Sequence, residues 1–471
     1  MPARRIRRWG VSAVAQEAQG GIDKPSAASA VTPARAEELL AQNPVFCLAP
    51  WTHLHALAEG YVTPCCESRQ QLGNINKQSF QEIWNGAAMA DVRAKMLRGE
   101  PVAACSKCYD KEAHGVESLR DKFNRGRSHH FDKVVGTTPD GRAPNALPIF
   151  WDIRFSNLCN FRCRSCWHGS SSRWFSDAVA MGSALGDHAI IHGVEDADAL
   201  FEQLDAYLPA LEEIYFAGGE PLITEEHYRL LDLLIARGAC HVTLDYNTNL
   251  SVTGIKGHDV IEKWKRFPTI RVRASIDGVG ARGELLRKEQ NWQETVANAQ
   301  RIRSECPHVN FRTEATVSVF NVLHLPTLVR ELDALNVVPV DRMLSHLLQD
   351  PHHYNIRVLP RAMKARVHAV YAEFERWLVE RTSTLPDGDA VLDHHRTQLH
   401  EILAYMDSED WTHLLPSFRR VTAKLDALRE EKTGDVFPEL APLIEGRGER
   451  WRAAMRFGRQ KSRALLRRIG A

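Results

Sequence analysis

Hydrophobic residues alternate between strand-like and helix-like patterns through the middle of the chain. Short apolar runs typical of buried strands occur in "IFWDIRF", "EEIYFAGG", "HVTLDYNTNL", "IRVRASIDG" and "FRTEATVSVFN", and a further short strand lies in "NVVPVDRML". Between them, "EEHYRLLDLLIARG" and "ETVANAQRIRSE" have apolar residues at helical spacing. Strands that alternate with helices predict an α/β fold with a parallel sheet and right-handed crossovers, either open or closed into a full or partial barrel.

The patterns on either side of this alternation divide the chain into five predicted parts. Residues 1–42 are rich in Ala, Arg, Gly and Ser without apolar periodicity, so we expect them to be flexible. Residues 43–115 predict a compact unit of short strands and a capped helix. Residues 116–147 are charged and loop-like, as in a linker. Residues 148–358 contain the alternation, and residues 359–471 read as helices only.

The composition is that of an ordinary soluble protein, with 44% hydrophobic and 25% charged residues. Sixty Lys+Arg against fifty-nine Asp+Glu give a formal net charge of +1, so no overall field recruits nucleic acid or a membrane surface. No apolar run reaches the roughly 18 residues that suggest a transmembrane helix. The N-terminus lacks the apolar stretch of an export signal, so we expect a cytoplasmic protein.

The ten cysteines are unevenly distributed along the chain. Five lie in residues 47–108, three lie in residues 159–166, and Cys240 and Cys306 stand alone. In a long cytoplasmic chain, cysteines serve metal or redox chemistry more often than disulfides. The two groups therefore predict two metal centres, and the two isolated residues are interpreted as small buried hydrophobes.

The first predicted centre is Cys159-x3-Cys163-x2-Cys166, directly after a predicted strand. Three thiolates this close can bind three irons of a cubane iron–sulfur cluster. Because no fourth cysteine is near, one iron stays open for a non-protein ligand, as at an open catalytic metal site. A structural zinc site with His168 as fourth ligand is the alternative.

This loop resembles the signature of the radical S-adenosylmethionine (radical SAM) superfamily. The resemblance implies a partial (β/α)6 barrel, a small Cys-rich α+β domain for an auxiliary cluster before it, and a helical C-terminal region. It also implies two cofactors, a 4Fe–4S cluster and S-adenosylmethionine. One electron from the cluster would cleave S-adenosylmethionine to a 5′-deoxyadenosyl radical, which would remove a hydrogen atom from the substrate.

The resemblance extends to the segments that bind S-adenosylmethionine in this superfamily. Gly218-Gly219-Glu220-Pro221 resembles the "GGEP" motif, which binds the methionine amino group, and Thr248-Asn249 resembles the "TN" motif near the ribose. The further residues that the resemblance places near the ribose, the carboxylate and the adenine are Ser275, Asp277, Arg287 and Val319. Apart from Arg287, for which a surface helix position is the alternative, they lie at the carboxyl ends of predicted strands, which converge on one mouth of a barrel.

The second predicted centre has four cysteines, Cys47, Cys65, Cys105 and Cys108. Their spacing around Gly60 resembles the auxiliary-cluster module called SPASM, in its shorter "twitch" form with one cluster, here placed before the radical domain rather than after it. The resemblance implies an auxiliary 4Fe–4S cluster. Four thiolates with a closing Cys-x2-Cys are also a structural zinc pattern, which stays open as the alternative.

An adjacent thiol, Cys66, leaves the choice of ligand between Cys65 and Cys66 open, and the spacing from Gly60 favours Cys65. Cys66 is a candidate catalytic residue, since a thiol near the substrate could return a hydrogen atom to a carbon radical.

Three functions fit the sequence. The first is a radical enzyme that dehydrogenates, cross-links or epimerises a peptide or protein, because auxiliary modules of this kind often accompany peptide substrates. The second is a dehydrogenase or epimerase of a small molecule such as a sugar or aminocyclitol. The third is a non-catalytic iron–sulfur or zinc protein. The enzyme readings require a reducing partner such as flavodoxin or ferredoxin, and no nucleic-acid partner is expected.

Overall fold

The computed structural model describes residues 30–113 and 117–446. Within them, nine strands form one sheet in the order β11-β10-β9-β6-β5-β4-β1-β2-β3, and two short strands form a separate hairpin. The strands are β1 (His53–Ala56), β2 (Tyr61–Thr63), β3 (Gly73–Asn74), β4 (Phe150–Ile153), β5 (Glu213–Phe216), β6 (Thr243–Thr248), β7 (Gly254–Ile255), β8 (His258–Asp259), β9 (Ile270–Ser275), β10 (Asn310–Val317) and β11 (Met343–Leu347).

Six strands, β4, β5, β6, β9, β10 and β11, are parallel neighbours with helices in their crossovers. This confirms the predicted α/β fold with a partial (β/α)6 barrel. In β10 buried and half-buried residues alternate, because successive side chains of a strand point to opposite faces. Phe311 and Val317 join the hydrophobic core, whereas Arg312 and Glu314 lie on the other, polar face.

The N-terminal cysteine unit continues the sheet of the barrel. Strand β1 pairs in parallel with β4, from His53 opposite Phe150 to Ala56 opposite Ile153. Strands β2 and β3 then extend the sheet in antiparallel fashion. The two cysteine groups are therefore carried by one continuous sheet.

Helices lie before the barrel, connect its parallel strands and make up most of the C-terminal region, as predicted. They are α1 (Pro33–Gln42), α2 (Ala49–Thr52), α3 (Phe80–Trp84), α4 (Ala87–Leu97), α5 (Ser106–Ala113), α6 (Leu119–Arg127), α7 (Phe175–Met181), α8 (Ala197–Asp205), α9 (Glu225–Ala236), α10 (Val260–Trp264), α11 (Ala281–Leu286), α12 (Trp292–Glu305), α13 (Leu325–Ala334), α14 (Arg361–Thr382), α15 (Gly388–Asp407), α16 (Leu415–Arg429), α17 (Thr433–Val436) and α18 (Ala441–Glu445). None of the helices in the described residues is long and apolar enough to span a membrane.

Two predictions about irregular segments are wrong in part. Residues 33–42, expected to be flexible, form α1, because Thr32 caps its N-terminus and its apolar residues pack into the core. Residues 116–147, expected to be loop-like, contain α6, which begins with a capping box between Ser118 and Asp121 and buries Phe123. Residues 1–29 and 447–471 lie outside the described residues, and the five-part division of the chain remains a prediction.

Candidate active site

The loop that follows β4 carries Cys159, Cys163 and Cys166 at the carboxyl end of the barrel. Burial, and after it the neighbouring Cys163 thiol, raise the pKa of Cys159. Burial and Cys163 likewise raise the pKa of Cys166 to about 12. Thiols crowded together in this way favour binding of a metal centre, because a metal stabilises the thiolate form that burial opposes.

Hydrogen-bond donors surround these sulfurs. The Phe161 amide donates to the Cys159 sulfur at 3.4 Å, and the Asn249 side-chain amide lies 4.0 Å from the same atom. The Arg287 guanidinium donates to the Cys163 sulfur at 3.8 Å. Donors of this kind stabilise the negative charge of metal-bound thiolates and tune the reduction potential of a cluster.

The spacing of the sulfurs bears on the choice between iron and zinc. In residues 30–113 and 117–446, no three cysteine sulfurs lie within 4.8 Å of one another. A tetrahedral zinc ion with Zn–S bonds of about 2.3 Å would draw its thiolates to roughly 3.8 Å from each other. A cubane spaces its thiolates further apart, because each binds a different iron. In the described residues, no three cysteine sulfurs stand at the spacing of a bound zinc ion.

The Gly218–Pro221 segment packs directly against the cysteine loop. Gly219 has φ +57°, and a Cβ atom at this position would lie 2.1 Å from the carbonyl oxygen of Leu158. The Glu220 amide donates to that same oxygen at 2.8 Å. Only glycine allows this close approach, so the motif holds Glu220 beside the cysteine loop.

Glu220 is buried and accepts three hydrogen bonds. The donors are the Thr248 hydroxyl at 2.7 Å, the Asn249 amide at 2.6 Å and the Leu222 amide at 3.0 Å. Burial outweighs these bonds and raises the pKa of Glu220 to about 7. A bound ammonium would offset this cost and favour the carboxylate, so the site fits the amino group of S-adenosylmethionine.

Asp277 and Arg287 form a buried ion pair on the other side of the cysteine loop, with Arg287 Nε 2.9 Å from Asp277 Oδ2. The Thr316 amide holds the other carboxylate oxygen at 2.8 Å. Ser275 ends β9, two residues before Asp277. Val319 is buried just after β10, and its amide donates to the carbonyl oxygen of Tyr354 at 2.9 Å.

The C-terminal region contacts the cysteine loop through buried ion pairs. Arg164, between two of the cysteines, is 1% exposed and lies 2.5 Å from Asp426 and 2.6 Å from Glu431. On the same side, Arg429 lies 2.9 Å from Asp177. No sequence pattern identifies these contacts. The position of Arg164 inside the cysteine motif is the one local feature that points to a role for this residue.

The four cysteines of the second group line one cavity. Cys47, Cys65, Cys105 and Cys108 all face it, and Cys66 is absent from its walls. Burial and the Cys65 thiol raise the pKa of Cys47. The geometry thus brings together the four residues that the spacing singled out.

Cys66 faces a different environment from Cys65. Although the residue is exposed, burial of its thiol and the neighbouring Cys65 thiol raise the pKa of Cys66 to about 12. The carboxylate of Asp152 raises this pKa further and the guanidinium of Arg154 lowers it.

Comparisons with known proteins agree with this geometry. Residues 153–317 match the model of the radical SAM superfamily, and residues 47–109 match that of SPASM, an iron–sulfur cluster-binding domain. The 7,8-dihydro-6-hydroxymethylpterin dimethyltransferase of Methanocaldococcus jannaschii is 25% identical over 251 residues, which are 52% of this chain and 42% of that relative. The match therefore spans less than half of the curated relative.

Two solved structures align with about half of the chain at low TM-scores. Native anSMEcpe with bound AdoMet and Cp18Cys peptide has a TM-score of 0.35 at 15% identity, over 48% of this chain and 58% of that one. TYW1 with a lysine-pyruvate adduct has a TM-score of 0.27 at 10% identity, over 49% of this chain and 71% of that one. The two family matches, on the segments that carry the cysteine groups, are the stronger finding. The chain therefore carries a radical SAM domain in residues 153–317 and, ahead of it, a SPASM-type iron–sulfur cluster-binding domain in residues 47–109, the domains of an enzyme that depends on a 4Fe–4S cluster and S-adenosylmethionine.

Proposed function

We propose that this enzyme removes a hydrogen atom from a peptide or protein substrate held in the barrel interior. The observation that carries the proposal is the polar face of the barrel strands, on which Arg273 contacts both Asp245 and Tyr215. When bound, the cluster and S-adenosylmethionine supply a 5′-deoxyadenosyl radical at the carboxyl end of the barrel. The chain's own residues then have to orient the target and exclude water.

Two groups of residues would hold S-adenosylmethionine. The Glu220 carboxylate is positioned by Thr248 and Asn249 to accept hydrogen bonds from the methionine amino group. Arg287, fixed by Asp277, presents its guanidinium beside the Cys163 sulfur, where it can meet the carboxylate. Cys159, Cys163 and Cys166 would ligate the cluster, with Ser275 and Val319 near the ribose and adenine.

The barrel interior offers both donors and acceptors to a substrate. Tyr215 on β5 pairs with Asp245 on β6, which pairs with Arg271 on β9. Arg273 lies 2.7 Å from Asp245 and stacks over the Tyr215 ring. A surface of mixed charge with a phenol fits the amide groups and charged side chains of a peptide.

A small polar molecule is the second candidate, favoured by the pterin substrate that the name of the curated relative implies. The same polar interior could bind such a molecule. Anaerobic assays of 5′-deoxyadenosine formation with dithionite separate the two classes. Stimulation by peptides, with deuterium transferred from a labelled peptide into 5′-deoxyadenosine, supports the proposal. Stimulation by pterins, sugars or aminocyclitols alone contradicts it.

We further propose that Cys66 supplies a second hydrogen transfer. After the deoxyadenosyl radical has taken one hydrogen atom, the Cys66 S–H can give its hydrogen to the opposite face of the substrate radical, which inverts the stereocentre. The resulting thiyl radical needs one electron and one proton to return to the thiol. A flavodoxin or ferredoxin can supply the electron.

Replacing Cys66 with alanine is expected to leave the iron content and cleavage of S-adenosylmethionine unchanged but to abolish epimerised product. Deuterium from D2O, which enters through the exchangeable S–H, should disappear from the product with it. Mass spectrometry of the product and iron analysis check both outcomes. Cys65→Ala is the matched variant and should lose about four irons, since Cys65 lines the auxiliary cavity. Loss of iron from the Cys66 variant instead would make Cys66 a ligand.

Replacing Gly219 with alanine is expected to weaken S-adenosylmethionine binding by about tenfold or more, equivalent to about 1.4 kcal/mol. The new Cβ would collide with the Leu158 carbonyl, so Glu220 must move. Equilibrium dialysis under anaerobic conditions measures the change. Gly182→Ala is the control, because Gly182 has a similar φ of +71° but no atom within 4 Å of the added Cβ. Equal binding by both variants would show that the collision is relieved without moving Glu220.

A further inference from the structure

A third group of metal-ligating side chains lies at the opposite end of the barrel from the first cysteines. His129 and His130 belong to the 3-10 helix Ser128–Lys133, and Glu212 immediately precedes β5. Their ligand atoms all lie within 4.8 Å of one another. We propose that His129, His130 and Glu212 form a binding site for a divalent transition metal of the Zn2+ class.

The geometry of the three side chains already brings them close to a shared ion. His130 Nε2 lies 2.8 Å from Glu212 Oε2, and the ring centroids of the two histidines are 3.9 Å apart. His130 is 8% exposed, whereas His129 and Glu212 are open to solvent.

The donor set selects the class of metal. Two imidazoles and one carboxylate form the protein ligands of one kind of catalytic zinc site and of some iron(II) sites. Magnesium and calcium prefer oxygen ligands alone. The site is thus distinct in chemistry from the thiolate centres at the other end of the barrel.

The three residues line a cavity of about 710 Å³ at the amino ends of the barrel strands. His241, which precedes β6, lines the same cavity and is a candidate for a further ligand. A metal held by three protein groups beside so large a space keeps an open position for water or a small anion.

Cationic side chains that face the cavity oppose a bound metal ion, but carboxylates compensate them. Arg127 and Arg271 lie 2.9 Å and 2.7 Å from the Glu213 carboxylate. Arg273 lies 2.7 Å from the carboxylate of Asp245. Glu212 makes its ion pair with His130 rather than with these arginines, although its charge also reaches Arg127.

An ion pair between His130 and Glu212 would account for the closeness of these two side chains without a metal. It gives no role to His129. His129→Ala therefore separates the two readings, because it leaves the ion pair intact and removes one proposed ligand.

The test uses the full-length protein with both clusters assembled, so that the cysteines are occupied. After anaerobic treatment with a chelating resin, the protein is titrated with ZnCl2 against a chromophoric zinc chelator, without S-adenosylmethionine. X-ray absorption at the zinc edge then identifies the ligands. We expect about one zinc per chain with nitrogen and oxygen ligands, and about 10- to 100-fold weaker binding in His129→Ala and Glu212→Gln. His188→Ala, which removes an exposed histidine elsewhere, should bind zinc as the wild type does.

Zinc with sulfur ligands would overturn the proposal, because the ion would then sit at the cysteines. Equal binding by His129→Ala and the wild type would also overturn it. Since no turnover is measured, neither result depends on the proposed substrate.

Discussion

Replacing Cys159, Cys163 and Cys166 together with alanine is expected to abolish the formation of 5′-deoxyadenosine and to remove about four irons per chain. The wild type, with two cubane clusters, should hold about eight. The effect is expected to be complete because three irons lose their protein ligands at once. The cluster that would pass an electron to S-adenosylmethionine is then absent. Iron and sulfide analysis of anaerobically reconstituted protein, with chromatography of the dithionite reaction, measures both quantities.

The matched control is Cys240→Ala, which removes a thiol outside both cysteine groups and should retain iron and activity. Zinc in place of iron in the wild type would contradict the assignment of the metal. Iron without cleavage of S-adenosylmethionine would contradict the assignment of this loop as the radical site.

Replacing Arg164 with methionine is expected to destabilise the protein by about 3–5 kcal/mol and to release the first cluster. The variant leaves Asp426 and Glu431 without their buried partner, although Lys288 still lies 3.0 Å from Glu431. A loss of this size is a large part of the roughly 5–15 kcal/mol that stabilises a folded domain. Thermal unfolding and iron retention under anaerobic conditions are the measurements.

Arg237→Met provides the comparison, since Arg237 makes an ion pair of similar length, 2.7 Å to Asp205, on the surface. Exposed pairs contribute about 0–1 kcal/mol, so this variant should unfold near the wild-type temperature. Adding Asp426→Asn and Glu431→Gln to Arg164→Met should recover part of the loss by removing the unpaired charges. If Arg164→Met and Arg237→Met behave alike, the C-terminal helices do not secure the cysteine loop.

The parallel strands and the first cysteine group could be predicted because their signals are local. Each strand of the barrel has its own apolar run between turn residues, and three cysteines within eight residues need no long-range information. Cys65, rather than Cys66, faces the auxiliary cavity. This agrees with the spacing of Cys65 from Gly60, which is also a local signal. Glu220 beside Thr248 and Asn249 follows from parallel strands ending at one mouth.

Long-range contacts could not be predicted from the single sequence. Arg164 meets Asp426 across 262 residues, and nothing near either residue names the other. Helix α6, "LRDKFNRGR", has one large buried residue, Phe123, so its apolar pattern was too weak to predict a helix. Cap residues at Ser118 and Asp121 were its only local sign.

The pairing of β1 with β4 has a consequence for how the protein can be divided. Strand β4, "FWDI", carries mainly large apolar side chains. One of its two backbone edges is hydrogen-bonded to β1, which covers it. Without residues 30–113, β4 would become an edge strand whose free N–H and C=O groups could template pairing with another chain. We therefore expect the auxiliary unit to protect the radical domain from self-association, whether or not its cluster transfers electrons.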